Sequence, residues 1–142
     1  MNKVPPSTLV TGSTGYVGAF VVEEVLTKTS SDVICLVRDH GGDNHQKLVE
    51  HLESLGIHLE DKLHRLKVVI GDITKPRLGL VDYDALSVSV SHVIHCAAWT
   101  NHLRPYSDLA ATNVDSVKHF IAFCFLVNKK TLSFVSSLGG VA

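Results

Sequence analysis

No apolar run in this sequence is long enough to cross a membrane. The longest wholly apolar stretch, Phe120 to Val127, falls far short of the ~18 residues that a helical span needs. Neither sign of charge is in excess, with 13 Lys+Arg against 14 Asp+Glu. Basic residues do not interleave with aromatic ones, which excludes nucleic acid as the main partner. Cysteine is scarce: Cys35, Cys96 and Cys124 lie in apolar surroundings without Cys-x-x-Cys spacing. An odd set of buried thiols suits a reducing compartment, and Met1-Asn2-Lys3-Val4-Pro5-Pro6 has no apolar signal core. A cytoplasmic location is the expectation. Nine histidines are present but scattered, and His92 and His95, three apart on an expected strand, point to opposite faces. They read as surface or interface histidines, and no metal site is expected.

What is present suits a globular domain. Of 142 residues, 45% are hydrophobic and 19% charged, and a domain of this size buries roughly 70% of its unfolded surface. Ser7 to Val10 is a β-rich run ending in a glycine turn. Tyr16 to Thr29 turns helical, with Val17, Val21 and Val25 stacked at i+4 and Val22 and Leu26 widening the stripe. Asp32 to Val37 is continuously apolar after its first residue, as a parallel strand covered on both faces should be. Asp43-x-x-Gln46 resembles a capping box opening a helix with Leu48, Leu52 and Leu55 on one face, stopped at Gly56. Leu66 to Ile70 and Val90 to Cys96 are further strands, joined by a loop through Pro76 and Gly79. A helix from Tyr106 to Val127 and a strand from Thr131 to Ser136 follow. Strands alternating with helices predict an α/β fold: a Rossmann-type, doubly wound parallel sheet of about five strands with right-handed crossovers.

The first strand-to-helix turn carries Gly12-x-x-Gly15-x-x-Gly18. Gly12 permits a tight exit from the strand, Gly15 lets a pyrophosphate approach the backbone, and Gly18 allows close helix–sheet packing. The helix N-terminus then offers N–H groups and partial positive charge to phosphates. Glycines alone are weak evidence, but this placement makes a dinucleotide site the stronger reading. After the second strand stand Arg38 and Asp39. An arginine there suits the 2′-phosphate of NADP(H), whereas a carboxylate suits the ribose 2′-OH of NAD. Arg38 favours NADP(H); Asp39 keeps NAD open, and a solvated strand-end arginine is the competing structural explanation.

Taken together, several segments resemble the extended short-chain dehydrogenase/reductase family. More narrowly they are similar to the thioester reductase domains of nonribosomal peptide synthetases and carboxylic acid reductases, relatives of fatty acyl-CoA reductases. The matching pieces are Thr11-Gly12-Ser13-Thr14-Gly15-Tyr16-Val17-Gly18, Leu36-Val37-Arg38, Gly71-Asp72-Ile73 and Lys75-Pro76-Arg77-Leu78-Gly79-Leu80. Val93-Ile94-His95-Cys96-Ala97-Ala98, Tyr106-Ser107-Asp108-Leu109, Asn113-Val114 and Phe134-Val135-Ser136-Ser137 complete them. The glycine turn belongs to the wide superfamily. The Pro-x-Leu-Gly-Leu loop and the Asn101…Pro105-Tyr106 stretch point to the thioester reductase branch.

The resemblance implies that backbone groups of Thr14, Gly15, Tyr16 and Val17 cradle the pyrophosphate and that Arg38 holds the 2′-phosphate. Asp72 would accept from the adenine amine, with Ile73 packed on the ring. Ala97 and Ala98 would leave room for the nicotinamide half, and Asn113 would lie near the cofactor ribose. Ser137 matches the hydroxyl that polarises the substrate carbonyl, a donor to the oxyanion that forms as hydride arrives. The implied substrate is an acyl thioester on a carrier protein or coenzyme A.

The family's Tyr-x-x-x-Lys pair, whose tyrosine delivers a proton, has no counterpart. Four residues after Tyr16, Tyr83 and Tyr106 stand Phe20, Ser87 and Ala110. Ala110 also replaces a frequent arginine, and Asp115-Ser116 stand where a glycine is common. Residues 1–142 are therefore expected to be the NADP(H)-binding N-terminal portion of a larger reductase, without its C-terminal substrate domain and incomplete for catalysis alone. An exposed fifth-strand edge would invite self-association. Two other readings compete. One is a nucleotide-sugar epimerase or dehydratase, against which Arg38 and the Pro76-to-Leu80 loop weigh. The other is a non-catalytic dinucleotide-binding module.

Overall fold

The computed structural model describes residues 6–137. Its strands are β1 (Ser7–Thr11), β2 (Asp32–Val37), β3 (Leu66–Ile70), β4 (Val90–His95) and β5 (Thr131–Phe134). They form one parallel sheet in the order β3-β2-β1-β4-β5. The helices are α1 (Tyr16–Lys28), α2 (Asn44–Ser54), α3 (Tyr83–Ser89), α4 (Tyr106–Ala110) and α5 (Ser116–Phe125). The chain leaves β1 in one direction for β2 and β3, then returns to its other side for β4. That reversal opens a crevice beyond the carboxyl ends of β1 and β4.

Period-two alternation builds two cores. Val10 of β1 and Val33, Cys35 and Val37 of β2 meet Ala19, Val22 and Leu26 of α1 and Leu48 and Leu52 of α2. Their neighbours Leu9, Ile34 and Leu36 face the other way and meet Leu78, Tyr83, Phe120 and Phe123. The doubly wound α/β architecture is as expected. Asp43 caps α2 by accepting from Gln46 N–H at 3.0 Å, but the Gln46 side chain bonds Glu50, so the box is half formed.

Between β3 and β4, where a loop is expected, a short 3₁₀ turn (Pro76–Gly79) and α3 stand instead. The segment Ser87-Val88-Ser89-Val90-Ser91 alternates like a strand, so local pattern hides the helix. Long-range contact supports it: Tyr83 stacks edge-on to Phe123 at 5.3 Å, and Ser87 Oγ donates to Leu126 O at 3.1 Å. The expected Tyr106–Val127 helix is interrupted by a π-helical turn, Ala111–Asp115, and ends at Phe125. β4 and β5 end at His95 and Phe134, one and two residues earlier than expected, while β1 runs one residue further, to Thr11.

His95 is also a correction. Rather than a surface or interface histidine, it is 1% exposed at the end of β4, with ring centroids 4.5 Å from Phe120 and 5.6 Å from Phe134. Burial pushes its imidazole pKa down to about 4.

Backbone contact joins α1 to β1. A Cβ on Gly18 would lie 2.1 Å from Gly12 O and 2.5 Å from its carbonyl carbon. Neither atom can swing aside, so Gly18→Ala must displace the helix. It should cost roughly 3 kcal/mol or more, read as a lowered urea midpoint. The buried His95 predicts acid lability. The unfolded ring takes up a proton near its ordinary value of 6.5 and the folded one only near 4. Between those values the unfolded state binds more protons, so this stability is whole above 6.5 and falls as pH drops toward 4. Urea unfolding between about pH 7 and pH 4 should show wild type losing about 3 kcal/mol more than His95→Gln. Equal losses would refute the assignment.

Candidate functional site

The crevice predicted by the strand order is a cleft of about 480 Å³ at the carboxyl ends of the strands. Its floor is the β1–α1 turn. Gly12 adopts φ +74°, and Gly15 N–H closes the turn by donating to Gly12 O at 3.0 Å. Gly15 caps α1 without any side-chain hydrogen bond, and the first turn holds no acidic residue. The first N–H groups of α1, from Tyr16 on, and the positive helix end therefore remain available to an anion. Thr14 and Gly15 line the cleft. Tyr16 and Val17 have exposed side chains outside its lining, so they can offer it only backbone. Gly18 is buried behind the turn and serves packing.

One wall comes from the end of β2. Arg38 lines the cleft and is exposed, and among the described residues no carboxylate forms an ion pair with it. Asp39 does not line the cleft. Its Oδ1 accepts from Gly41 N–H at 2.9 Å and from Asn44 Nδ2 at 3.0 Å. Those bonds, Asn44 foremost, hold its carboxyl below the usual aspartate range. His40, which belongs to no recognisable motif, lines the cleft beside Arg38.

The far end is formed after β3. Asp72 and Ile73 line it together with Thr74. Thr74 Oγ1 and N–H donate to Asp72 Oδ1 at 2.7 and 2.9 Å, and the Thr74 hydroxyl chiefly keeps Asp72 ionised. The opposite wall is Cys96, Ala97 and Ala98 after β4, with Trp99 and Thr112. Asn113 is not in the lining. Its amide clamps the Trp99 backbone, accepting from Trp99 N–H at 2.8 Å and donating to Trp99 O at 2.9 Å. Ser137 is exposed, three residues beyond β5, and lies outside the lining too.

Of the residues singled out in the sequence, the fold thus brings Gly12, Thr14, Gly15, Arg38, Asp72, Ile73, Ala97 and Ala98 into one cleft. Thr11 stands within the glycine-turn motif with no role of its own assigned by the sequence, whereas Thr74, Trp99 and Thr112 escaped notice because no local pattern marks them as lining the cleft. The chemistry is that of a polar, anion-accepting groove: a helix N-terminus at its middle, a guanidinium and a carboxylate together toward the β3 side, and small apolar residues toward the β4 side. Among the described residues, no cluster of three potential metal ligands occurs, and no helix is long and apolar enough to cross a membrane.

The chain is similar to known proteins in sequence and in fold. Isonitrile lipopeptide synthase of Streptomyces coeruleorubidus is 33% identical over 138 residues, covering 94% of this chain and 9% of its own. L-2-aminoadipate reductase of Schizosaccharomyces pombe is 32% identical over 141 residues, covering 96% of this chain and 10% of its own. The chain therefore spans a tenth or less of the length of these two relatives. The crystal structure of the terminal R domain from the myxalamid PKS-NRPS biosynthetic pathway superposes with a TM-score of 0.89 at 31% identity. It covers 97% of this chain, which spans 36% of that domain. UDP-glucuronic acid 4-epimerase from Bacillus cereus, 17% identical with a TM-score of 0.66, shares the fold alone. Residues 10–142 match the NAD-binding family described as Male sterility protein. The chain belongs to that family, within the extended short-chain dehydrogenase/reductases of the thioester reductase type.

Proposed function

We propose that this chain is the NADP(H)-binding part of a reductase acting on acyl thioesters, carried on a carrier protein or coenzyme A, to give an aldehyde or alcohol. The relatives named above support the substrate class, and the cleft supports the cofactor. When bound, the dinucleotide supplies the hydride. Holding and orienting the dinucleotide falls to the chain. The uncapped N–H groups of α1 and the backbone around Gly15 receive the pyrophosphate, and a Cβ at Gly15 would already stand 3.3 Å from Gly12 O, within the cradle. Ionised Asp72 accepts from the adenine amine with Ile73 against the ring. Ala97 and Ala98 keep the nicotinamide side unobstructed. Ser137 follows β5 at the same end of the parallel sheet, where its hydroxyl would donate to the substrate carbonyl. Asn113 would act near the ribose through the Trp99 segment it clamps.

One observation carries the preference for NADP(H) over NAD. Arg38 faces the cleft without a carboxylate partner among the described residues, while the neighbouring Asp39 is tied to Gly41 and Asn44. A 2′-phosphate finds a cation there, while the carboxylate next in sequence, Asp39, lies outside the cleft lining.

Fluorescence titration should show NADPH binding more tightly than NADH. Arg38→Ala should weaken NADPH about 10- to 100-fold, as loss of a charge-assisted hydrogen bond would, and leave NADH nearly unchanged. Equal affinities in wild type would overturn the role given to Arg38. With acyl-CoA added, NADPH absorbance should stay constant, because this chain has no Tyr-x-x-x-Lys; turnover would refute that incompleteness.

A further inference from the structure

Behind the cleft wall runs a buried hydrogen-bond chain that none of the ligand contacts above employs. Ala97 N–H donates to Thr11 Oγ1 at 3.2 Å, and Thr11 Oγ1 lies 2.6 Å from His95 Nδ1. On the other side of the ring, His95 Nε2 stands 3.5 Å from Ser116 Oγ, the longest link. Ser116 Oγ–H donates to Thr112 O at 2.5 Å.

The ends of the chain determine its direction. A serine hydroxyl has one proton, and Ser116 gives it to the Thr112 carbonyl, so toward His95 it can only accept. Nε2 must then carry the ring proton. Nδ1 is left as an acceptor, which the Thr11 hydroxyl fills while a lone pair of Thr11 Oγ1 receives Ala97 N–H. Every donor meets an acceptor. With the proton on Nδ1 instead, Nε2 and Ser116 Oγ would oppose lone pair to lone pair in a site closed to water, since His95 and Ser116 are 1% and 0% exposed.

The groups at the ends of the chain belong to the cleft. Thr11 leads into Gly12, Ala97 forms one wall, and Thr112 sits on the π-helical turn; all line it. The same turn carries Asn113, which fixes Trp99. We propose that His95, as the neutral Nε2–H tautomer, is a positioning residue that holds the glycine turn, the end of β4 and the π-helical turn at one separation. The cleft is thereby formed before a ligand arrives. This rests on reading the cleft as a dinucleotide site. Loosening the chain lowers the fraction of molecules with a competent cleft, and apparent affinity falls by that fraction.

Two measurements on the 142-residue chain test this. ¹⁵N imidazole shifts near neutral pH should identify His95 as Nε2–H in wild type, and the Nδ1–H form would overturn the proposal. NADPH titration should then show Ser116→Ala weakening binding about fivefold. Cys124→Ala, a change in the same helix outside the chain, should lower the melting temperature yet leave affinity within about twofold. Undiminished affinity in Ser116→Ala, or an equal loss in Cys124→Ala, would reduce His95 to a fold-stabilising residue and sink the positioning role. Failure of wild type to bind either NADPH or NADH would instead sink the dinucleotide reading on which it rests.

Discussion

Three stretches of main chain meet around Gly12 with no side chain between them. A Cβ there would lie 2.7 Å from Ala97 N, and one on Gly18 would lie 2.1 Å from Gly12 O. The end of β1 can therefore touch both the start of α1 and the end of β4 only if these positions are glycine. Separate any pair and the cleft changes shape, because Thr11, Gly12 and Ala97 form its lining.

Polar groups around it are distributed unequally, and the inequality has physical causes. Asp39 Oδ1 is held by its own loop and the residue lies outside the cleft lining, whereas the adjacent Arg38 lines the cleft and forms no ion pair among the described residues. Asp72 keeps its charge because Thr74 donates to it twice. His95 loses its charge because apolar rings and the sheet exclude water from it. Burial likewise pushes the Cys35 thiol up to about 12, which leaves it an inert part of the core. Charge faces the cleft, and neutral hydrogen-bonded groups stand behind it.

How far the sequence was legible differed from element to element. Val33 to Val37 announced a doubly covered strand because both faces of a parallel sheet demand apolar residues, and β2 runs Asp32–Val37. Asp43 announced α2 because a cap acts within three residues, and it does accept from Gln46 N–H. Helix α3 escaped, since its stability comes from Tyr83 on Phe123 and from Ser87 on Leu126, partners about forty residues away. The π-helical turn escaped for a related reason. A five-residue π-helical turn leaves no mark in the local sequence, and its effect is felt where Thr112 and Asn113 meet Ser116 and Trp99.

By itself, the sequence determined the alternation of strands and helices, the glycine turn and the identity of the strand-end residues. These are local matters of periodicity, backbone freedom and charge, acting over a few positions. Only the tertiary structure decided which groups face the cleft. It chose Arg38 and His40 over Asp39 and Thr112 over Asn113, and it moved His95 from an expected surface position to the interior. Direction of this kind depends on which partner a side chain meets across the sheet, and for Thr11 and His95 that partner lies 84 residues away along the chain.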